Sequence, residues 1–182
     1  MEKYRVRLKN AEGSALLQHR FAQSSDGSAS KKGTVYVPEE EAQAALYLDE
    51  DGNYVEPASH IEGSLVKAGA TFKHKGRKTY KDLFKAALFV EPELIPLETE
   101  GYEVDTRPAV VQRARIWRSR PLFKKWEMEF TIVNIADDLV AARIVKEILE
   151  HAGTSVGIGD FRPRFGRFEV VSFVTENDNN KS

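Results

Sequence analysis

An amphipathic helix followed by a glycine-rich loop is the sequence feature that most constrains the fold. The segment ADDLVAARIVKEILEHAG occupies residues 136–153, and its apolar face is made of Ala141, Val145, Ile148, Leu149 and Ala152. We expect Asp137 to cap the N-terminus of this helix and Gly153 to end it. The loop GIGDFRPRFGRFEV follows, and RFEVVSFV then reads as a final strand. This end of the chain therefore predicts a helix, a tight connection and a strand.

Segments with a period of two supply the rest of a sheet. KYRVRLK places Tyr4, Val6 and Leu8 on one face, and KWEMEFTIVNI directs Trp126, Met128, Phe130 and Ile132 toward a core. Helical spacing over Ser59–Phe72 predicts a first helix. The segment TYKDLFKAALFV predicts a helical turn that becomes extended. The segment beyond Pro108 predicts one long strand that includes Val110–Arg118. The order strand, helix, strand, strand, helix, strand predicts an α+β fold of the ferredoxin-like or RNA-recognition-motif type, an antiparallel sheet with helices on one face and loop insertions.

Length and composition limit the class of protein. A chain of 182 residues is long enough for one well-buried core, so we expect a single domain over residues 1–176, with a flexible surface loop at Ser24–Gly33 and a disordered tail at 177–182. The absence of cysteine excludes disulfides and thiolate chemistry. No apolar run approaches the roughly 18 residues that span a bilayer. We therefore expect a cytoplasmic protein without a membrane partner.

The charge is segregated along the chain although its net value is −1. Basic residues cluster over Lys67–Lys85 and again over Arg107–Lys125, while acids cluster in PEEEAQ, LDEDG and VEPELIPLETEGYEVD. Clustered lysine and arginine are the electrostatic footprint of nucleic-acid binding. The distribution therefore favours a polyanionic partner more than the net charge suggests.

The glycine-rich loop is the first candidate site. Gly157, Gly159 and Gly166 permit close backbone approach or positive φ, and the guanidinium groups of Arg162, Arg164 and Arg167 suit phosphate. Backbone N–H groups and arginines together are expected to form an anion cradle. The alternative is a simple connection whose arginines are solvated. The loop matches neither a Walker A motif nor a dinucleotide fingerprint, so no nucleotide cofactor is expected.

Two further basic segments are candidate RNA contacts. If the first strand and the predicted Val110–Arg118 strand share a sheet face, that surface would combine positive charge with an aromatic ring through Arg5, Arg7, Arg113, Arg115 and Trp117. The segment FKHKGRKTYK is expected to form a basic turn around Gly76 that grips phosphates through Lys73, Lys75, Arg77 and Lys78. Solvated charge is the alternative for both segments.

Catalytic and metal signals are weak. The four histidines, His19, His60, His74 and His151, show no metal-ligand spacing, so neither a metal nor any other cofactor is expected. His60 and His74 flank the first helix and could act as acid or base on RNA, although no positioned partner can be named from the sequence. No catalytic residue is therefore assigned.

Two stretches together carry a family resemblance. VGIGDFRPRFGRFEVV, after an amphipathic helix, resembles the glycine-rich loop of the RAMP superfamily of CRISPR systems. HIEGSLVKAGA resembles the stretch that opens the first helix of backbone subunits in that superfamily, and Gly63, Ser64, Leu65 and Lys67 match it, while Glu62 stands where the family usually has proline.

The resemblance implies a function. It suggests a non-catalytic subunit that binds guide-type single-stranded RNA, with a target strand possible as a pairing partner, in a homo-oligomer or a multi-subunit ribonucleoprotein. By carry-over, Gly63, Ser64 and Lys67 would contact the RNA backbone, and the loop glycines with their arginines would shape a second binding surface. Two alternatives stay open: a metal-independent endoribonuclease on the same fold, and a phage-related interaction or assembly module whose acidic and basic surfaces pair head to tail.

Overall fold

The major strands and helices follow the predicted order, with further strands and two shorter helices between them. The computed structural model describes residues 1–20, 37–111 and 113–176; the predicted loop at Ser24–Gly33 and the tail at 177–182 lie outside these ranges. In chain order the elements are β1 (Glu2–Asn10), β2 (Leu16–Leu17), α1 (Pro38–Ala44), β3 (Val55–Pro57), α2 (Ala58–Gly69), β4 (Lys73–Lys75), β5 (Lys78–Thr79), α3 (Tyr80–Ala87), β6 (Leu88–Glu91), β7 (Leu94–Pro96), β8 (Glu98–Thr99), β9 (Glu103–Val111), β10 (Ala114–Phe123), β11 (Trp126–Asn134), α4 (Ala142–Ser155) and β12 (Phe168–Glu176).

The main sheet has the strand order of the ferredoxin-like fold. Its neighbours are β12, β1, β11 and β6, with β8 also paired to β11. Every pairing is antiparallel, and β1 lies in the middle, pairing Tyr4 with Ile132 of β11 and with Thr175 of β12. The first and last major strands are therefore neighbours, as the βαββαβ pattern requires. The predicted fold class is confirmed.

The core lies between this sheet and helices α2 and α4. The inward residues of β1 and β11 that the period of two predicted are all buried, namely Tyr4, Val6, Leu8, Trp126, Met128, Phe130 and Ile132. They meet the buried faces of α2 and α4, which include Ile61, Leu65, Ala68, Val145, Ile148, Leu149 and Ala152. Burying each large apolar side chain contributes about 1.5–3 kcal/mol, so the two periodicities hold the helices on one face of the sheet.

The ends of α4 differ from the prediction. Asp137 does not cap the helix, which begins after Ala141 without a side-chain cap; the Asp137 carboxylate instead lies 2.8 Å from the amino group of Met1. Gly153 does not end the helix, because it lies inside α4 with its Cα facing the carbonyl and ring of Phe168. The residue with positive φ after the helix is Gly157, at 72°. Close packing against β12, rather than a turn, is what requires glycine at position 153.

The predicted long strand over Val110–Arg118 is wrong. The chain turns there, and β9 and β10 form an antiparallel hairpin that pairs Trp117 with Pro108 and belongs to a second sheet of order β2, β10, β9. Arg113 takes the left-handed conformation at the turn, with φ of 71°. Both arms contain residues typical of strands, and the turn carries neither glycine nor proline, so no sequence signal separates the two arms.

Helix α1 packs on this second sheet. The proline and the acids in its first turn favour the start of a helix there. Glu41 of α1 accepts hydrogen bonds from the Arg118 guanidinium at 2.7 Å and from the backbone N–H of Ser119 at 2.8 Å. These contacts hold the middle of β10 against α1. Within the described residues, no helix is long and apolar enough to cross a membrane.

Candidate nucleic-acid interface

The outer face of the main sheet is neutralised by ion pairs. The outward cations of β1 each lie against a carboxylate on a neighbouring strand, at N–O distances of 2.7–3.3 Å in the pairs Lys3–Glu91, Arg5–Glu176, Arg7–Glu98, Arg7–Glu127 and Lys9–Glu169. The predicted positive surface that joins Arg5 and Arg7 to Arg113, Arg115 and Trp117 is not formed, because the latter three belong to the other sheet or its turn. The face on which an RNA-recognition motif stacks its bases therefore carries no excess of positive charge here.

The glycine-rich loop folds tightly against the segment around β2. The Asp160 N–H donates to the carbonyl of Leu17 at 2.8 Å, and the Gly166 N–H donates to the carbonyl of Ala15 at 2.8 Å. A Cβ on Gly159 would meet the Leu17 carbonyl oxygen at 2.6 Å, and one on Gly166 would overlap the carbonyl of Ile158. Both residues also have positive φ, 73° and 74°. The structure gives these glycines a packing role, and their contact with a nucleic acid stays a prediction.

The expected backbone anion cradle is largely occupied by the protein itself. Backbone N–H groups along the loop donate to protein acceptors, among them those of Gly157, Ile158, Asp160, Phe165 and Gly166. The Phe161 N–H donates to the Asp160 carboxylate at 2.9 Å. Donors that are already bonded internally do not hold an external phosphate, so anion binding at this loop depends on its side chains.

The loop arginines point outward from this fixed backbone. Arg162, Arg164 and Arg167 are exposed, and no carboxylate in the described part of the chain forms an ion pair with any of them. Two phenylalanines of the loop are covered by guanidinium groups of the hairpin. Arg107 lies 4.6 Å from the ring centre of Phe165, and Arg120 lies 5.5 Å from that of Phe161. The loop and the hairpin therefore hold each other in place.

The predicted basic turn around Gly76 is a small hairpin of β4 and β5. Gly76 has φ of 60°, and Lys73, Lys75, Arg77 and Lys78 are exposed without an ion pair in the ranges that the structure describes. His74 stacks edge-on against Tyr80, with 4.9 Å between ring centres. A cavity of about 870 Å³ lies between this hairpin and one face of α3. The turn thus forms a second cluster of free cations.

The hairpin of β9 and β10 exposes an aromatic ring among cations. Trp117 is 63% exposed and Val110 is 70% exposed, although apolar side chains of this size are usually buried. Arg113 and Arg115 are exposed at or beside the turn and have no ion pair with a described residue. An exposed indole beside guanidinium groups can stack on a base while the charges contact phosphate.

The residues of the predicted first-helix motif lie on different faces of α2. Gly63 and Lys67 are exposed, whereas Ser64 is buried, and its hydroxyl has no hydrogen-bond partner within the described residues. A hydroxyl inside the core does not reach a phosphate in solvent, so the prediction for Ser64 does not fit this conformation. Gly63 opens into an apolar groove between α2 and α3 rather than toward the glycine-rich loop.

Sequence reasoning missed a pocket of about 420 Å³ beside the loop, although His60 and Arg162, which both line it, had been singled out for other reasons. Its other lining includes His19, Tyr47, Arg118 and Arg120, which come from separate segments of the chain.

Two hydrogen-bond networks hold the side chains of this pocket, and the first centres on Glu56, which is fully buried. The Glu56 carboxylate lies 2.6 Å from Nδ1 of His60 and accepts a hydrogen bond from Gln18 at 2.7 Å. The ring of His60 is therefore held in one orientation, with Nε2 at its opposite edge.

The second network centres on Arg120. Its Nε lies 2.9 Å from the Asp160 carboxylate and 3.3 Å from Nδ1 of His19. Burial, together with the positive charge of Arg120, lowers the pKa of His19 below its usual value. His19 is thus neutral at neutral pH. Glu56 and His60, at a spacing of i and i+4, were a signal that the sequence did contain; Arg120 and His19 meet only in the folded chain.

No group of three or more histidine, aspartate or glutamate side chains converges to hold a metal ion within residues 1–20, 37–111 and 113–176.

No protein-family model and no curated protein sequence matches the chain. The fold is similar to that of a chain in the cryo-EM structure of the Type III-B Cmr-beta bound to cognate target RNA, with a TM-score of 0.60 and 9% sequence identity. The match covers 96% of this chain and 60% of that chain. At this identity the likeness shows a shared fold.

Proposed function

We propose that the chain is an RNA-binding subunit of a CRISPR-related ribonucleoprotein, similar to RAMP-superfamily backbone proteins. The ferredoxin-like strand order, the two sequence motifs and the likeness to a chain from an RNA-bound Cmr-beta structure support this proposal. The RNA is of the guide type and single-stranded, with a pairing target strand as a further partner, and copies of the chain or other subunits assemble along it. The chain grips phosphates and does not read base sequence.

The separation of the cations into two classes carries the proposal. On the sheet face the cations are ion-paired, as in Arg5–Glu176 and Lys9–Glu169. On the glycine-rich loop, the β4–β5 hairpin and the turn end of the β9–β10 hairpin, a set of exposed cations lacks a carboxylate partner among the described residues: Arg162, Arg164, Arg167, Lys73, Lys75, Arg77, Lys78, Arg113 and Arg115. Cations farther from that turn, such as Arg107 and Arg118, are ion-paired. Exposed cations without a carboxylate partner, at these three places, are available to bind the phosphates of a polyanion.

Salt dependence offers a quantitative test. Each phosphate that a protein neutralises on a single strand contributes roughly 0.7 to the slope of log affinity against log salt. Replacing Arg162, Arg164 and Arg167 together by alanine should therefore lower that slope by about 2 and weaken binding at every sequence alike. The assay is fluorescence anisotropy of a labelled single-stranded RNA over a series of salt concentrations.

A matched triple variant on the sheet face serves as the control. Replacing Lys3, Arg5 and Lys9 by alanine removes the same number of positive charges, but from ion pairs that hold them against carboxylates. We expect the salt slope of this variant to stay near that of the wild type. Equal losses in the two triple variants would show that net charge, and not the loop, determines binding.

A second candidate function has one observation in its favour. The buried Glu56 carboxylate orients His60, as a general base in metal-independent RNA cleavage requires, whereas no described carboxylate contacts His74. Incubating RNA with the protein and a metal chelator tests this candidate. Cleavage that disappears in His60→Ala and persists in His74→Ala would favour the endoribonuclease over the binding subunit.

A further inference from the structure

The geometry points to a binding site for a single phosphate group in the pocket between β10, the N-terminus of α2 and the glycine-rich loop. The proposed ligand is a phosphate of the bound nucleic acid, held by Arg120, Arg162 and His60. This inference rests on the proposed function and deepens it, because it places one phosphate in a defined pocket, whereas the remaining contacts lie on exposed surface.

Arg120 is the strongest evidence for an anion in this pocket. Its side chain is 8% exposed, it lines the pocket, and its Nη1 has no hydrogen-bond partner in the described part of the chain. Nε of the same guanidinium is occupied by Asp160 at 2.9 Å. A buried charged donor without an acceptor costs free energy, and an oxygen of a bound phosphate would supply the missing acceptor.

Arg162 and His60 provide the other ligand groups. Arg162 lines the pocket from the loop, is exposed, and has no ion pair with a described residue. His60 reaches the pocket from α2, and its Nδ1 lies 2.6 Å from the Glu56 carboxylate. Nε2 is therefore the nitrogen that faces a ligand, and it donates to a phosphate oxygen when the ring carries both protons. The three groups come from β10, the loop and α2, so they surround a ligand instead of forming a flat patch. A guanidinium group can donate two parallel hydrogen bonds to two oxygens of one phosphate.

The carboxylates near the pocket already have partners, which leaves the free donors in excess. Asp160 accepts from Arg120 and from the Phe161 N–H, and Glu56 accepts from Gln18 and contacts His60. Glu41 accepts from Arg118 and from the Ser119 N–H. An anion that enters the pocket therefore meets unmet donors, while the negative charges are engaged by other groups.

Imidazole NMR signals of the wild-type protein test the inference directly. Inorganic phosphate is titrated against a sodium chloride reference at matched ionic strength, and the ring signal of His60 is assigned from its loss in His60→Gln. We expect a saturable shift of this signal with a Kd on the order of 1 mM, a typical strength for a few charge-assisted contacts to a free ion. A shift that follows ionic strength alone, without saturation, would overturn the inference.

Two variants locate the binding. Arg120→Lys keeps a positive charge for Asp160 but removes the fork, and Arg162→Ala removes the exposed donor; each should weaken phosphate binding about tenfold. Arg143→Ala is the matched control, because Arg143 is exposed on α4 without an ion pair among the described residues. An equal loss in Arg143→Ala would overturn the inference. If Arg120→Lys unfolds, the phosphate titrations of the wild type and of Arg162→Ala still test the inference.

Short oligoribonucleotides with a 5′-phosphate or a 5′-hydroxyl distinguish the two sources of the phosphate. A His60 shift with both indicates an internal phosphodiester, and a shift with the phosphorylated strand alone indicates a terminal phosphate. RNA binding with a normal salt slope but an unmoved His60 signal would refute the pocket and leave the proposed function standing. Phosphate binding in the pocket without any RNA binding would refute the proposed function instead.

Discussion

Replacing Gly153 by alanine should destabilise the protein, although alanine is the better helix former. Gly153 lies inside α4, where alanine is favoured by about 1 kcal/mol over glycine. The added Cβ, however, would overlap the carbonyl of Phe168 and approach its ring carbons at 2.8 and 3.0 Å. Phe168 is buried and pairs with Asn10 of β1, so its backbone cannot move aside without breaking the sheet pairing. The clash therefore outweighs the gain in helix propensity.

The net effect can be estimated from these two opposing contributions. Overpacking a well-filled site costs about 1–3 kcal/mol, and more where the obstacle is backbone, so we expect a net loss of roughly 2 kcal/mol. For a chain of this length that loss corresponds to a fall in Tm of about 4–8 °C. Gly63→Ala is the control, because Gly63 lies in α2 and a Cβ there has nothing within 4 Å. It should raise stability by about 0.5–1 kcal/mol.

Thermal and urea unfolding of both variants, followed by circular dichroism, give the measurement. A Gly153→Ala protein as stable as the wild type would show that α4 and β12 do not pack as closely as the structure has them. The same displacement would move the glycine-rich loop that connects them, so RNA affinity should fall together with stability. A loss of stability without any change in RNA affinity would separate the loop from the binding surface.

Three further predictions concern single residues. Because folding lowers the pKa of His19, the unfolded state binds a proton more readily than the folded state, and stability should fall as the pH drops through about 6.5. In a plot of the urea midpoint against pH, His19→Gln should make this fall smaller. Trp117→Ala should weaken RNA binding by about 1–3 kcal/mol with little change in Tm, since the ring is 63% exposed, and unchanged affinity would exclude stacking at this position. Burial and the hydrogen bond to Glu2 raise the pKa of Tyr4 to about 12, so stability linked to this phenol should be lost as the pH rises from 10 toward 12. Urea midpoints of the wild type and of Tyr4→Phe over this pH range measure the loss.

The periodicities of the sequence were sufficient to predict the main sheet and its helices. Tyr4, Val6 and Leu8 alternate with cations over a segment long enough to identify β1, and the apolar stripe of α4 is equally regular. Such patterns are local, and the strand order then follows from the few ways in which this order of elements can pack. The hairpin of β9 and β10 was not predicted, because its turn at Arg113 contains neither glycine nor proline and lies within a continuous basic segment.

The candidate site was predictable in its residue types but not in its arrangement. The sequence alone identifies Arg162, Arg164 and Arg167 as a cluster of charge beside glycines, and the structure shows them exposed. It could not show that Gly159 and Gly166 are required by contacts with Leu17 and Ile158, because those contacts join distant parts of the chain or opposite sides of a loop. Nor could it place Arg120 beside His19, which is 101 residues away.

The sequence by itself determined which segments bury an apolar face and where positive charge is concentrated. The tertiary structure alone decided which of those charges are free. Arg5 finds Glu176 across 171 residues, and Lys9 finds Glu169 on the same neighbouring strand, whereas the loop arginines have no carboxylate partner in the described chain. The physical reason is that Coulomb attraction depends on distance in space, and the pairing of β1 with β12 sets that distance independently of the separation along the chain.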